Sequence, residues 1–428
     1  LIVLQVSNIS EAAMKKTAGL AILGATLTWG FAAGAARATT ISFWTWRQED
    51  RAAYTEIFKD FTKLHPDITV KFEAFPDESY PTIVSTALAG GRGGDVIHVH
   101  AYGWLEQFIK AGYFLKLDKT TVPSLGNLPS DALLSGSYRA DGQVYAMPFA
   151  SQTLGLLINK DVFAKAGLQP PKTWDELLTV SKALKEKRIT PLANGLGTSW
   201  FNEMFVAVFT NPFLGPDFVH DLTTGKTTFK DPRYIAALSK LLELRSYMPD
   251  GYEGVDDETS GQLFLSGRAA MLADGSFDIA DFKTQNPQLN MDFIAPPAPK
   301  AGDPGYVTKF YDGGYAVNAA SPQKAAALTL VNYMGTPAFG DKLVSLLGDI
   351  SPIKGVTISD PLLAKVAALN ATAMPQIDLV YFRFQSPTGS ELLQTNITKM
   401  MAGSITPAQL GADVTAGVAK WYTPFQGK

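Results

Sequence analysis

Thr40-Ile41-Ser42-Phe43-Trp44, then Tyr54, Ile57, Phe58, Phe61 and Leu64, then Ile68, Val70 and Phe72 carry three apolar patterns in succession. The first run is apolar and rich in β-branched and aromatic residues, which suits a buried strand. The second recurs at helical spacing and stops before Pro66, and the third alternates as a strand does. The alternation continues downstream. Tyr80, Ile83, Val84, Ala87 and Leu88 mark a helix closed by Gly90-Gly91. Asp95-Val96-Ile97-His98-Val99 reads as a third strand, and Trp104, Leu105, Phe108 and Ile109 as a third helix ended at Gly112. Strand–helix alternation predicts a parallel sheet covered by helices on both faces. Ligands of such sheets bind beyond the carboxyl ends of the strands. Those ends are Trp44-Thr45-Trp46-Arg47 and His98-Val99-His100-Ala101-Tyr102.

Two later stretches read as strand ends that open into small residues beside an aromatic. They are Asp274-Gly275-Ser276-Phe277 and Lys309-Phe310-Tyr311-Asp312-Gly313-Gly314-Tyr315-Ala316-Val317. Glycine allows a ligand close to the backbone, and an exposed ring offers a flat apolar face. Each alone is equally an ordinary glycine turn. Together they predict one cleft with a lobe built on either side.

Between these stretches the pattern is consistent with a two-lobed α/β chain. Gly90-Gly91-Arg92-Gly93-Gly94 precedes a strand and lacks a Gly-Lys-Ser/Thr ending, so it reads as a helix end and loop, not a phosphate cradle. Asp141-Gly142 is a turn signal, and 144–160 reads as an extended crossing between lobes. Thr173 and Glu176 carry the spacing of a capping box, with Trp174 just inside the helix. Thr198-Ser199-Trp200-Phe201-Asn202 opens a helix carrying Phe205, Val208 and Phe209. Asp256-Asp257-Glu258 are read as first-turn partners of a helix dipole rather than metal ligands. Leu392, Leu393, Ile397, Met400 and Met401 pattern a helix near the end of the chain, stopped at Gly403.

Composition narrows the functional class. The 428 residues, 46% of them hydrophobic, are enough for more than one core. With 37 basic and 40 acidic residues well mixed and a net charge of −3, there is no basic patch, and no nucleic-acid partner is expected. The chain has no Cys, so it has no disulfide, no thiolate nucleophile and no Cys-lipidated anchor. Met14-Lys15-Lys16, the apolar run Ala18 to Phe31 and Ala36-Arg37-Ala38 form the three parts of an export signal over 14–38. Residues 1–13 are read as upstream of the start. The expected location is the periplasm, without a lipid anchor.

Leu157-Ile158-Asn159-Lys160-Asp161, Gly167-Leu168 and Pro170-Pro171-Lys172-Thr173-Trp174-Asp175-Glu176-Leu177 together resemble the signature of family 1 extracellular solute-binding proteins. These are the sugar-binding components of ABC importers, similar to maltose-binding protein. Gly267-Arg268-Ala269-Ala270-Met271 with Gly275-Ser276-Phe277, and Gly313-Gly314-Tyr315-Ala316-Val317 with Ser321-Pro322, extend the resemblance over the whole mature chain. The resemblance implies a type II periplasmic-binding-protein fold, with two α/β lobes, each a sheet flanked by helices, joined by a multi-crossing hinge. One lobe is expected to comprise 39–150 plus 312–368, and the other 153–308 plus 369–428. It also implies a monomer that captures a sugar or oligosaccharide, closes on it and presents it to permease subunits, with no catalysis, no cofactor and no metal.

Matching positions one by one gives the candidate ligand-binding set: Trp46, Arg47, His100, Tyr102, Gln152, Trp200, Phe277, Asp312, Gly313, Gly314 and Arg383. Trp200 falls where the family places a stacking aromatic, and Phe277 replaces the usual Trp. Trp46 and Trp200 could instead be core residues, and Arg47 and Arg383 surface or lobe-bridging charges. His98 and His100 alternate on one strand, but no third metal ligand lies nearby in sequence. Two alternatives remain open. One is the same fold with Arg47 and Arg383 clamping an anionic solute such as a phosphorylated polyol. The other is an exported carbohydrate-active enzyme, which would need two carboxylates across the cleft; the sequence offers the single Asp312.

Overall fold

In the computed structural model, residues 38–428 are described, and the export signal read over 14–38 lies outside them but for its last residue. The strands in chain order are β1 (Thr39–Thr45), β2 (Ile68–Ala74), β3 (Val96–Val99), β4 (Ala146–Pro148), β5 (Ser151–Asn159), β6 (Thr190–Leu192), β7 (Ala269–Gly275), β8 (Met291–Ile294), β9 (Thr308–Tyr311), β10 (Gly314–Val317) and β11 (Met374–Pro375). They form two sheets. The first has the order β2-β1-β3-β10-β4, and the second β11-β9-β5-β7-β6 with β8 also paired to β5.

The alternation read from 40 to 112 holds, with helices Arg51–Leu64, Tyr80–Ala89 and Gly103–Lys110 between and after the first three strands. β1 runs parallel to both β2 and β3. The sheet as a whole is mixed, because β10 enters antiparallel to β3 and β4. β10 reaches the sheet from the other lobe, directly after β9, so no helical crossover within this lobe fixes it parallel to its neighbours. One face of this sheet buries Ile41, Phe43, Ile57 and Leu330. The other buries Ile97, Val84, Leu105 and Phe108 beneath the second and third helices. The second sheet centres on β5, all nine residues of which are buried. Its core gathers Leu157 and Leu272 from the strands and Phe205, Phe264 and Val414 from the helices packed on them.

Three passages of the chain run side by side between the sheets. Phe149 N donates to Gly313 O (2.9 Å), Asp312 N to Ala150 O (3.1 Å) and Ser151 N to Ile350 O (2.9 Å). From the sequence, crossings are expected at 150–153, 308–312 and 368–369. The third passage, at 349–350, comes earlier than the expected boundary at 368. The helix Pro361–Leu369 already packs on the second core through Leu363 and Val366, and Lys365 pairs with Asp292 of β8 at 2.6 Å.

Candidate functional site

The carboxyl ends of β1 and β3 face this triple passage. Arg47, just after β1, is buried and ringed by carboxylates. Its Nε pairs with Asp50, its Nη2 lies 3.3 Å from Asp50 Oδ1 and 3.6 Å from Asp349 Oδ2, and its Nη1 lies 4.0 Å from Asp312 Oδ2. Glu49 stands 3.6 Å from Nε. Each nitrogen of the fork therefore already faces an anion. Burial pushes Asp312 up to about 7 and Asp349 up to about 6, with Arg47 pulling both back. The cause is one cation shared among several desolvated carboxylates.

Trp46 is mostly covered. Its ring centroid lies 4.1 Å from that of His98 and 4.0 Å from that of His100. His98 is fully buried, with Nδ1 3.1 Å from Thr45 Oγ1 and rings of Phe149 and Tyr315 around it. It is a core histidine. His100 is partly exposed and meets Trp104 edge-on at 5.2 Å. Burial, then the nearby Arg383 charge, lower it to about 4, while a hydrogen bond to the Asp312 backbone works the other way, so it is neutral at pH 7. Tyr102 has φ 61° and ψ −126°, a backbone that costs a side-chain-bearing residue about 1–3 kcal/mol. Its hydroxyl accepts from Tyr311 N at 3.1 Å, which ties the end of the first lobe's strand to β9. Gly313 is a close approach: a Cβ there would lie 2.5 Å from Val99 O and 3.2 Å from the Trp46 ring.

The second lobe supplies the facing wall. β7 ends at Asp274-Gly275, and Phe277 follows, 6.3 Å and edge-on from Trp200 at the start of the helix Ser199–Thr223. Trp200 is 38% exposed, the most exposed aromatic among the candidates. Burial and then the neighbouring Asp278 raise Asp274, and burial raises Asp278 to about 6, with a hydrogen bond to Asp274 and then Arg47 of the opposite lobe pulling it back. Asp77 of the first lobe is raised chiefly by burial, then by Glu78 and by Asp257 of the second. The two walls thus lie within electrostatic reach of each other.

Several candidates take roles other than the expected one. Gln152 is fully buried: its Nε2 donates to Asp349 Oδ1 (2.8 Å) and its Oε1 accepts from Ser276 Oγ (2.8 Å). It braces the crossings and offers no surface to a ligand. Gly314 lies inside β10, paired with Val99 and Pro148. Arg383 donates to Ser390 Oγ (2.6 Å) and Glu203 Oε2 (2.8 Å), so its charge is largely spent inside the second lobe. Asp312 is not the single carboxylate of this region: Glu49 and the buried Asp50 and Asp349 stand with it around Arg47, and Asp274 and Asp278 lie at the end of β7. Asp274 was in a stretch already singled out, but nothing in the spacing of Asp349 or Asp50 connects either to Arg47. Those contacts exist only once the third passage folds back beside the first.

The family model for bacterial extracellular solute-binding protein matches residues 45–340. The chain belongs to this family. Among its relatives is the multiple sugar-binding protein of Streptococcus mutans, 26% identical over 328 residues, or 74% of this chain and 76% of the relative. The maltotriose-binding protein of Pyrococcus abyssi is 27% identical over 72% of this chain and 65% of its own length. Solved structures share the fold. The bacterial solute receptor AcbH superposes with a TM-score of 0.79 at 18% identity, covering 90% of this chain and 99% of that one. This solute-binding protein therefore has the two-lobe periplasmic-binding fold, its two sheets meeting at the passages that Arg47 and Gln152 hold together. Among the described residues, no helix is long and apolar enough to cross a membrane.

Proposed function

We propose that this solute-binding protein captures a neutral sugar or oligosaccharide between its lobes and hands it unaltered to the membrane subunits of an ABC importer. The observation that carries this reading is the ring of carboxylates around Arg47. Carboxylate oxygens accept hydrogen bonds from hydroxyl groups, and an exposed ring such as Trp200 packs on the apolar face of a pyranose. The same ring argues against an anionic solute, since the Arg47 charge is already faced by Asp50, Asp349 and Asp312, and Arg383 is held by Glu203 and Ser390. The relatives point the same way: their names give multiple sugars and maltotriose, and AcbH is described as preferring β-D-galactopyranose.

On this reading the contacting groups are Trp200, Phe277, His100, Tyr102, Asp312 and the Gly313 backbone, with Asp278 from the second lobe. Trp46, Arg47 and Gln152 position them from beneath. The first lobe comprises 39–150 with 312–348, and the second 153–308 with 361–428. The protein acts as a secreted periplasmic monomer and not as an enzyme. The test is a thermal-shift screen of neutral mono- and oligosaccharides beside sugar phosphates. A ligand present at a hundred times its Kd stabilises the folded form by about 2.7 kcal/mol and raises Tm. Neutral sugars should do so; a response confined to the sugar phosphates overturns the reading.

A further inference from the structure

Within the second lobe, away from the strand ends, lies an enclosed cavity of about 10 Å³. The long helix Ser199–Thr223 forms one wall, with Val206, Thr210 and Asn211 facing in, and it is broken just beyond them at Gly215, where φ is 68°. Three polar side chains also line it: Tyr234, Gln376 and Asp378. They are 2%, 3% and 6% exposed. Among the described residues, Tyr234 Oη, Gln376 Oε1 and Asp378 Oδ1 have no hydrogen-bond partner. Buried polar atoms are nearly always paired, so three orphans around one small space call for a common partner.

We infer that this cavity binds a single water molecule, held at once by Tyr234, Gln376 and Asp378. The volume suits one water and nothing larger. The hydrogen-bond count closes as well. Water has two hydrogens, which go to Gln376 Oε1 and Asp378 Oδ1, and its oxygen accepts from the Tyr234 hydroxyl. A cation is less well served. Glu203, the other anion at the cavity, is already bonded to Arg383, Ser390 and Gln394 at 2.8, 2.9 and 2.7 Å. Burial, with Glu203 beside it, also lifts Asp378 well above the usual carboxylate range, which lessens the charge a cation would answer. The water would link Tyr234, on the helix Pro232–Leu241, to the segment that runs from β11 through Gln376 and Asp378 to Arg383. It stiffens that segment against the helix Pro232–Leu241, which packs on the helix Ser199–Thr223 through the stacked rings of Tyr234 and Phe218.

A crystal structure of the wild-type protein at about 1.5 Å resolution tests this directly. One density peak about 2.7–3.2 Å from all three atoms is expected. An empty cavity overturns the inference, and so does a peak with several oxygen neighbours near about 2.4 Å, which is cation geometry. Thermal denaturation gives an independent check. Tyr234→Phe and Gln376→Met should each lower Tm by a few degrees, and the double variant by clearly less than the sum, although no hydrogen bond joins the two side chains directly. Strict additivity would contradict a shared water.

Discussion

Arg47 and Gln152 show how the site is held before any ligand arrives. Arg47 gathers Asp50, Asp312 and Asp349 from three separate pieces of chain, and Gln152 fixes Asp349 from the other side. Gln152→Leu should destabilise the protein by about 2–3 kcal/mol in urea unfolding, because it leaves a buried carboxylate and the Ser276 hydroxyl each short of a partner. An unchanged midpoint would remove Gln152 from that role. Asp312 gives a pH signature. Its folded-state pKa, about 7, lies above the usual carboxylate value, so the folded protein binds this proton more tightly than the unfolded chain does. The group's contribution is most favourable below about pH 4 and is lost as pH rises through about 7. Asp312→Asn removes that loss, so the Tm of the variant relative to wild type should climb between about pH 4 and pH 8. A pH-independent difference would count against a desolvated Asp312. The Asp312 stretch was legible in sequence from its glycines and aromatics. Asp349 was not, since a lone Asp before an Ile-Ser-Pro loop carries no pattern.

At the scale of elements, the first three strands and their helices were readable because apolar spacing switches cleanly between periods of two and 3.6. What spacing could not reveal was that β10 lies antiparallel between β3 and β4, since it enters this sheet directly from β9 of the other lobe. Nor did it show that Pro361–Leu369 belongs with the second core: its apolar face fits either sheet, and only the third passage at 349–350 decides. Two predictions belong to elements. Trp200 opens the helix Ser199–Thr223 and is half out of the core, so Trp200→Ala should leave Tm nearly unchanged while weakening sugar binding about tenfold, or about 1.4 kcal/mol. Equal affinity in calorimetry would take Trp200 out of the site. Gly103 starts the helix Gly103–Lys110, and a Cβ there would lie 2.2 Å from the Arg383 carbonyl oxygen of the second lobe. Backbone cannot yield as a side-chain tip does. Gly103→Ala should therefore hold the lobes apart at this contact, giving a larger radius of gyration in small-angle scattering with ligand present; the same radius as wild type would contradict a close approach there.

At the scale of the whole molecule, two sheets with separate cores meet across three adjacent passages, and a few polar contacts cross between them. Asp131 of the first lobe accepts from Lys309 (3.0 Å) and Tyr311 (2.7 Å) of β9, and Arg139 lies over the Phe384 ring. Contacts of this size suit a hinge that opens and closes, because each is worth little alone and all form together. The division into two lobes was legible in sequence from the resemblance, whereas the electrostatic character of the cleft was not, because it arises from residues far apart along the chain. On the proposed function, a cleft of this character takes hydroxyl donors and disfavours anions. The most direct test is calorimetric titration of the purified protein with a panel of neutral oligosaccharides and their phosphorylated counterparts, with the ligand recovered afterwards for mass spectrometry. The prediction is one-to-one binding of a neutral sugar, recovered intact, with no heat from its phosphate. Tighter binding of the phosphate, or a cleaved sugar in the recovered pool, would contradict it.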